Sequence, residues 1–151
     1  MSMLRLDDQN FSSGRAGFQD TSSPHSGRSA RVLVKVAVEG MDEPFLALLD
    51  TAAEYSVLDR EIATEVGLAS SEGDRITLSH RGGSTPGKLV RTTMRMLADE
   101  GEDLVVEATV FVPDHNWAPT GYRNFIGYIG FLERVKLGLD PQENHVYFGG
   151  Y

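Results

Sequence analysis

The feature that most constrains the fold is a period-two alternation that begins at residue 31. In the segment RVLVKVAVEG, valines at positions 32, 34, 36 and 38 alternate with Leu33, Lys35 and Ala37. This period is typical of a β-strand, whose successive side chains point to opposite faces. The apolar run FLALLD at 45–50 follows the turn GMDEP. It predicts a second strand, covered on both faces.

Short strands of this kind recur to the end of the chain, separated by turn residues: YSVLD, RITLS, KLVRTTMRML, LVVEATVFV, KLGLD and HVYFG. A short helix is predicted in DREIATEVGL, with Asp59 as its N-cap and Gly67 at its end. A second is predicted where Phe131, Leu132 and Val135 share one side. The sequence therefore predicts a mainly β fold with two short helices, closed or nearly closed.

The first 29 residues differ in composition from the rest. They are rich in Ser, Gly, Asp and Arg, and their aromatic residues Phe11 and Phe18 are isolated. Such a segment buries too little apolar surface to offset the loss of chain entropy on folding. We therefore predict a flexible N-terminal tail over 1–29 and one folded domain over 30–151.

The composition of the chain argues against several classes of function. The net charge is −8, with 14 Lys and Arg against 22 Asp and Glu, which argues against nucleic-acid partners and anionic lipid surfaces. The chain has no Cys, which excludes disulfides and thiolate metal sites. The N-terminus lacks an apolar signal core, and no apolar stretch reaches membrane-spanning length. We expect a soluble, cytoplasmic protein without a membrane partner.

Two motifs suggest a ligand only weakly. GGSTPGK at 82–88 resembles a phosphate-binding loop, but such a loop must open a helix. The continuation LVRTTMRML alternates and predicts a strand, so a flexible hairpin is the better interpretation. The four histidines (His25, His80, His115 and His145) include no pair with metal-ligand spacing. We predict no metal site and no cofactor.

Asp50 is the candidate catalytic residue. It ends an apolar run, and the residues after it, Thr51, Ala52 and Ala53, are too small to shield a carboxylate. An ionised carboxylate in apolar surroundings is costly unless it is paired or hydrogen-bonded. A cap or turn aspartate is the alternative, but EYSVLD returns at once to a strand, so there is no helix to cap. The pattern favours a functional carboxylate.

These segments resemble the retroviral-type aspartic proteases, or retropepsins. LLDTAAEYSVLD resembles their active-site signature, hydrophobic-hydrophobic-Asp-Thr/Ser-Gly-Ala. FIGYIGFLERVKLGLD resembles their second motif, with Phe125-Ile126-Gly127 at its centre, and HRGGSTPG occupies the position of the family's flap hairpin. The resemblance covers about residues 31–149. Ala52 departs from the signature, which has Gly at this position.

The resemblance implies a small closed β-barrel of the retropepsin fold that works as a homodimeric aspartic endopeptidase on peptide or protein substrates. It implies that Asp50 is catalytic and is supplied once by each subunit. It also implies that the residues supporting the active-site loop are Thr51, Ala52, Ala53 and Gly127.

Substrate contacts are implied for two further regions. Gly82 and Gly83 correspond to the flap, Ile126 lies in the second motif, and Trp117 lies in the long loop before it. This loop either shapes a substrate pocket or is a surface loop with a tucked aromatic side chain. An inactive dimer of the same fold, serving as a peptide-binding or assembly module, is the alternative that Ala52 keeps open.

Overall fold

The computed structural model describes residues 3–18, 31–116 and 122–151. The elements, in chain order, are β1 (Arg5–Leu6), β2 (Gln9–Asn10), β3 (Gly14–Gly17), β4 (Leu33–Val38), β5 (Phe45–Leu49), β6 (Ser56–Val57), α1 (Arg60–Glu65), β7 (Asp74–His80), β8 (Gly83–Met96), β9 (Glu100–Gly101), β10 (Leu104–Pro113), β11 (Phe125–Ile126), a 3₁₀ turn (Leu132–Arg134), β12 (Lys136–Asp140) and β13 (His145–Gly149).

Six of these strands close into a barrel. Their order is β10-β6-β11-β5-β4-β8, and β8 pairs back with β10, which completes the circle. The closing pair is antiparallel and long, from Met96 opposite Leu104 to Gly87 opposite Pro113. β11 is parallel to β5, and β6 is parallel to β10. The prediction of a mainly β, closed fold is confirmed.

The valine alternation sets the inward face of β4. Val34, Val36 and Val38 are buried in the main core, whereas Lys35 is exposed. β5 differs from its prediction as a strand covered on both faces. Ala47 is buried, but Leu46 is 44% exposed because nothing covers the outer face of the barrel there within the described residues. An apolar run alone cannot tell which of the two faces is covered.

The β7–β8 hairpin is longer and better ordered than the predicted glycine-rich loop. Pairing continues from Asp74 opposite Leu89 to His80 opposite Gly83. Only Arg81 and Gly82 remain as the turn. Because GGSTPGK therefore runs into a strand and opens no helix, the phosphate-loop interpretation is wrong.

One of the two predicted helices forms. α1 begins after Asp59, whose side chain accepts a hydrogen bond from the Glu61 N–H (3.0 Å), and Gly67 follows its end. The second predicted helix is wrong: residues 132–134 form a single 3₁₀ turn. Val135 is already extended and leads into β12, so strand pairing interrupts the apolar helical pattern after one turn.

The predicted flexible tail is wrong for residues 3–18. β3 pairs with β13 and β9, and Ala16 and Phe18 are buried in the main core. A Cβ at Gly14 would lie 2.2 Å from the Glu102 carbonyl oxygen, so this glycine permits close packing. Residues 19–29 of the predicted tail lie outside the described residues.

The four-stranded sheet to which β3 belongs has the order β12-β13-β3-β9 and joins the two ends of the chain. No helix in the described ranges is long and apolar enough to cross a membrane.

Candidate active site

Asp50 lies directly after β5, where the chain leaves the barrel. Its backbone N–H donates to the Ile126 carbonyl oxygen (2.9 Å), and its own carbonyl oxygen accepts from the Ala53 N–H (3.1 Å). The Ala52 N–H donates to carboxylate oxygen Oδ1 (2.9 Å). The other oxygen, Oδ2, accepts no hydrogen bond from the described part of the chain. The carboxylate is thus oriented through one oxygen and leaves the other available.

The loop after Asp50 is held along its length by the segment that follows β11. The Tyr128 N–H donates to the Ala53 carbonyl oxygen (2.9 Å), and the Ile129 N–H donates to that of Glu54 (2.8 Å). Tyr55 and Ile129 form a parallel bridge. These backbone contacts join the two segments that resemble the retropepsin motifs. They fasten the Asp50 loop to the barrel.

Gly127 lies where these two segments come closest. Its N–H donates to Oγ of the buried Ser56 (2.9 Å). A Cβ at this position would lie 2.3 Å from the Tyr55 carbonyl carbon and 2.7 Å from the Ser56 nitrogen. Backbone cannot move aside as a flexible side chain can, so the close contact requires glycine.

A cleft of about 350 Å³ separates the Asp50 loop from the end of the β7–β8 hairpin. Its apolar lining comes from the barrel and the hairpin, and its charged and polar lining from the loop and the hairpin tip. The lining residues are Asp50, Ala52, Ala53, Glu54, Tyr55, Val57, Leu78, Ser79, His80, Arg81 and Phe125.

His80 braces the hairpin tip. Its Nδ1 accepts a hydrogen bond from the Gly82 N–H (3.2 Å), and its Nε2 lies 2.8 Å from Oγ1 of Thr85. Through these two contacts the imidazole ties the turn to the following strand.

The root of the same hairpin is attached to the barrel by an ion pair. Arg75 of β7 donates to both carboxylate oxygens of Asp114, at 2.6 and 2.5 Å. Hydrogen bonding to Arg75 lowers the pKa of Asp114, and the same bond raises the pKa of Arg75. The Asp114 N–H also donates to the Pro86 carbonyl oxygen (3.0 Å), so Asp114 connects β10 to both strands of the hairpin.

The structure brings together part of the predicted site. Asp50, Ala52 and Ala53 line the cleft, and Thr51 lies exposed in the same loop. Gly82 and Gly83 stand at the hairpin tip, exposed, and do not line the cleft.

Ile126 requires a correction, because its side chain does not reach the cleft. It is 1% exposed and packs in the main core, whereas its neighbour Phe125 lines the cleft. Adjacent residues of a strand point to opposite sides, so only one of the two can face the substrate side. Trp117, the other predicted substrate contact of this region, lies outside the described residues.

Sequence reasoning missed most of the cleft walls. Leu78 and His80 are two residues apart on β7. Side chains two residues apart lie on the same face of a strand, so the sequence pattern could have placed both on one face. Arg81 could be assigned only after the turn had been located, since the predicted loop was eight residues long and the observed turn has two.

The comparisons with known proteins agree with this geometry. Residues 34–109, half of the chain, match a family model described as aspartyl protease. The chain belongs to the aspartyl protease family. The matched segment includes Asp50 and the whole β7–β8 hairpin, and it ends before Gly127.

The fold is shared with a solved protease. A retropepsin-like aspartic protease from Rickettsia conorii superposes with a TM-score of 0.54 at 14% sequence identity, over 90% of this chain and 98% of that one. A search of curated proteins found no match to the chain. The structural likeness supports a retropepsin-like fold for the chain.

Proposed function

We propose that the protein is an aspartic endopeptidase that hydrolyses peptide bonds with two Asp50 carboxylates, one from each subunit of a homodimer. The observation that carries the proposal is the position of Asp50. It lines a cleft, one of its oxygens is oriented by the Ala52 N–H, and its loop is bonded to the segment after β11.

The proposed chemistry requires a pair of carboxylates. Two such groups at close range cannot both ionise cheaply, so they share one proton and titrate together. The ionised carboxylate takes a proton from water, whose oxygen attacks the substrate carbonyl carbon, while the protonated carboxylate donates to the carbonyl oxygen. The carboxylate that took the water proton then donates it to the amide nitrogen, the other carboxylate takes a proton from a diol hydroxyl, and the C–N bond breaks to release an amine and a carboxylic acid.

A second subunit is proposed because the chain contains a single Asp-Thr-x-Ala segment. A residue close to a two-fold axis meets its own copy, so dimerisation supplies the second carboxylate without a second motif. Thr51 is exposed next to Asp50, and we propose that its side chain hydrogen-bonds across the axis.

The substrate is proposed to bind as an extended peptide between the Asp50 loop and the hairpin. Tyr55, Val57, Leu78 and Phe125 give the cleft apolar walls for its side chains. The hairpin is proposed to act as a flap, with its movement centred on Gly82 and Gly83. Trp117 is retained as a proposed contact with substrate.

The alternative is an inactive dimer that binds peptides, and Ala52 is the observation that favours it. Ala52 lines the cleft next to Asp50, and a Cβ at this position leaves less room for a substrate carbonyl than glycine would. This alternative keeps peptide binding and dimerisation but predicts no turnover.

The test is cleavage of an unfolded protein at acidic pH by the wild type, Asp50→Asn and the control Asp42→Asn. Asp42 is an exposed aspartate in the turn between β4 and β5 and does not line the cleft. We expect cleavage by the wild type and the control, and none by Asp50→Asn. Equal cleavage by Asp50→Asn would refute the assignment, and peptide binding without any cleavage would establish the alternative. Sedimentation of the same samples tests the dimer.

A further inference from the structure

The charged residues that line the cleft are separated by sign. Asp50 and Glu54 stand on the loop wall, and Arg81 stands on the hairpin wall beside His80. The electrostatic field across the cleft is therefore asymmetric, because a peptide bound between the walls would have carboxylates on one side and a guanidinium on the other. A cleft of this kind selects both the charge and the orientation of what it binds.

Arg81 differs from half of the ten arginines in the described part of the chain. Five others form ion pairs with carboxylates: Arg15, Arg75, Arg95, Arg123 and Arg134. Arg81 is exposed at the hairpin turn, and within the described ranges no carboxylate lies within 4.0 Å of its guanidinium. It thus faces the cleft with its hydrogen-bond donors uncommitted to an ion pair.

We infer that Arg81 determines substrate specificity by binding a carboxylate side chain of the peptide, so that the protein prefers acidic peptides. The inference rests on the proposed function, of which it names the substrate class. A guanidinium presents a planar fork of donors that fits a carboxylate with two parallel hydrogen bonds. His80 is engaged with Gly82 and Thr85, which leaves Arg81 as the cation of this wall directed to ligand.

The opposite wall strengthens the selection. Glu54 repels an acidic side chain from the loop side and thereby directs it to the hairpin side. In the proposed homodimer each subunit contributes one Arg81. We therefore expect acidic residues to be favoured on both sides of the cleaved bond.

The experiment uses fluorogenic peptides that share one apolar core and differ at single flanking positions by Glu, Gln or Lys. They are assayed at about pH 6, where a Glu side chain is ionised. For the wild type we expect kcat/KM for the best Glu peptide to exceed that of its Gln counterpart about 5-fold or more at low salt, with the ratio falling as salt screens the pair.

The variants separate the role of Arg81 from a general charge effect. Arg81→Gln should bring the Glu-to-Gln ratio to about one, and Arg81→Glu should shift the preference to the Lys peptide. Both should still cleave the Gln peptide. The control Arg91→Gln removes an exposed arginine of the same hairpin that does not line the cleft, and it should keep the wild-type ratio.

Binding of the same peptides to Asp50→Asn, followed by fluorescence anisotropy, distinguishes this inference from the proposed function. If the wild type cleaves no peptide, the proposed function fails, while tighter binding of Glu peptides that Arg81→Gln abolishes would still support the inference. Equal cleavage and binding of Glu and Gln peptides by the wild type would overturn it, as would a preference that survives Arg81→Gln.

Discussion

Single residues in this site act mainly through backbone geometry. Ala52 orients Asp50 with its N–H, a contact that does not depend on its side chain, and the residue also lines the cleft. Gly127 acts by having no side chain where two backbone segments meet. The consequences of changing these two residues are therefore opposite.

Ala52→Gly is expected to preserve or raise turnover, because it keeps the N–H contact with Asp50 and enlarges the cleft beside the carboxylate. It should lower the free energy of unfolding by about 0.5–1 kcal/mol through backbone entropy. Turnover of one peptide by both forms, over a range of pH values, checks the first part, and urea unfolding checks the second. A clear loss of turnover would mean that the methyl group contributes to function.

Gly127→Ala is expected to lower the free energy of unfolding by about 1–3 kcal/mol or more, because the added Cβ would overlap the backbone of Tyr55 and Ser56. Gly150→Ala is the control, since the nearest atom to a Cβ there is 3.9 Å away. Urea unfolding of both variants is the measurement. Equal stability of the two would contradict the packing argument.

At the scale of elements, charged and polar side chains fasten the β7–β8 hairpin at both ends. Its root is joined to the barrel by Arg75 and Asp114, and its tip is braced by His80. The pKa of Asp114 is lowered in the folded state. This stabilisation is present above the ordinary aspartate pKa of about 3.9 and is lost as pH falls through the lower, folded value.

Arg75→Gln is therefore expected to lower the Tm relative to the wild type at about pH 7, and the difference should shrink as the pH falls below about 3.9. Arg91→Gln, which removes an exposed hairpin arginine without this ion pair, serves as the control at each pH. Thermal unfolding followed by circular dichroism gives both Tm values. A difference that grows towards low pH would contradict the sign of the linkage.

At the scale of the whole molecule, the two ends of the chain complete one sheet. β3 lies between β13 and β9, and Phe18 and Ala16 add to the core that the barrel surrounds. A segment that resembles a tail in composition is thus a structural strand, and the folded unit extends further towards the N-terminus than residue 30.

A chain that begins at Ala30 is expected to be less stable than the full chain by about 3–5 kcal/mol, since it loses the buried aromatic residue Phe18 and leaves β13 paired only with β12. A chain that begins at Ser13 keeps β3 and Phe18; it loses the exposed strands β1 and β2 together with the buried Ser12, and its stability should fall less. Urea unfolding and sedimentation compare the two. Equal stability of both shortened chains would restore the flexible-tail interpretation for residues 13–18.

The fold class and the candidate carboxylate could be predicted from the sequence because both depend on patterns among residues close together in the chain. Period two and turn residues are short-range patterns, so they identified β4 and the hairpin strands, and the Asp59 cap identified α1. Asp50 was recognisable because a carboxylate at the end of an apolar run is destabilising unless it is paired or hydrogen-bonded, and this favours a functional role. The signature around it is contiguous, and the same holds for Phe125-Ile126-Gly127.

What only the tertiary structure decided depends on contacts between distant residues. β3 is a strand because β13 satisfies its backbone from the other end of the chain, and the second helix shortens to one turn because β12 pairs with β13. Leu78, Arg81 and Phe125 meet Asp50 in one cleft only because the barrel closes. Local patterns carry no information about which strand will supply a partner, since pairing energy is gained only when segments far apart in sequence come together.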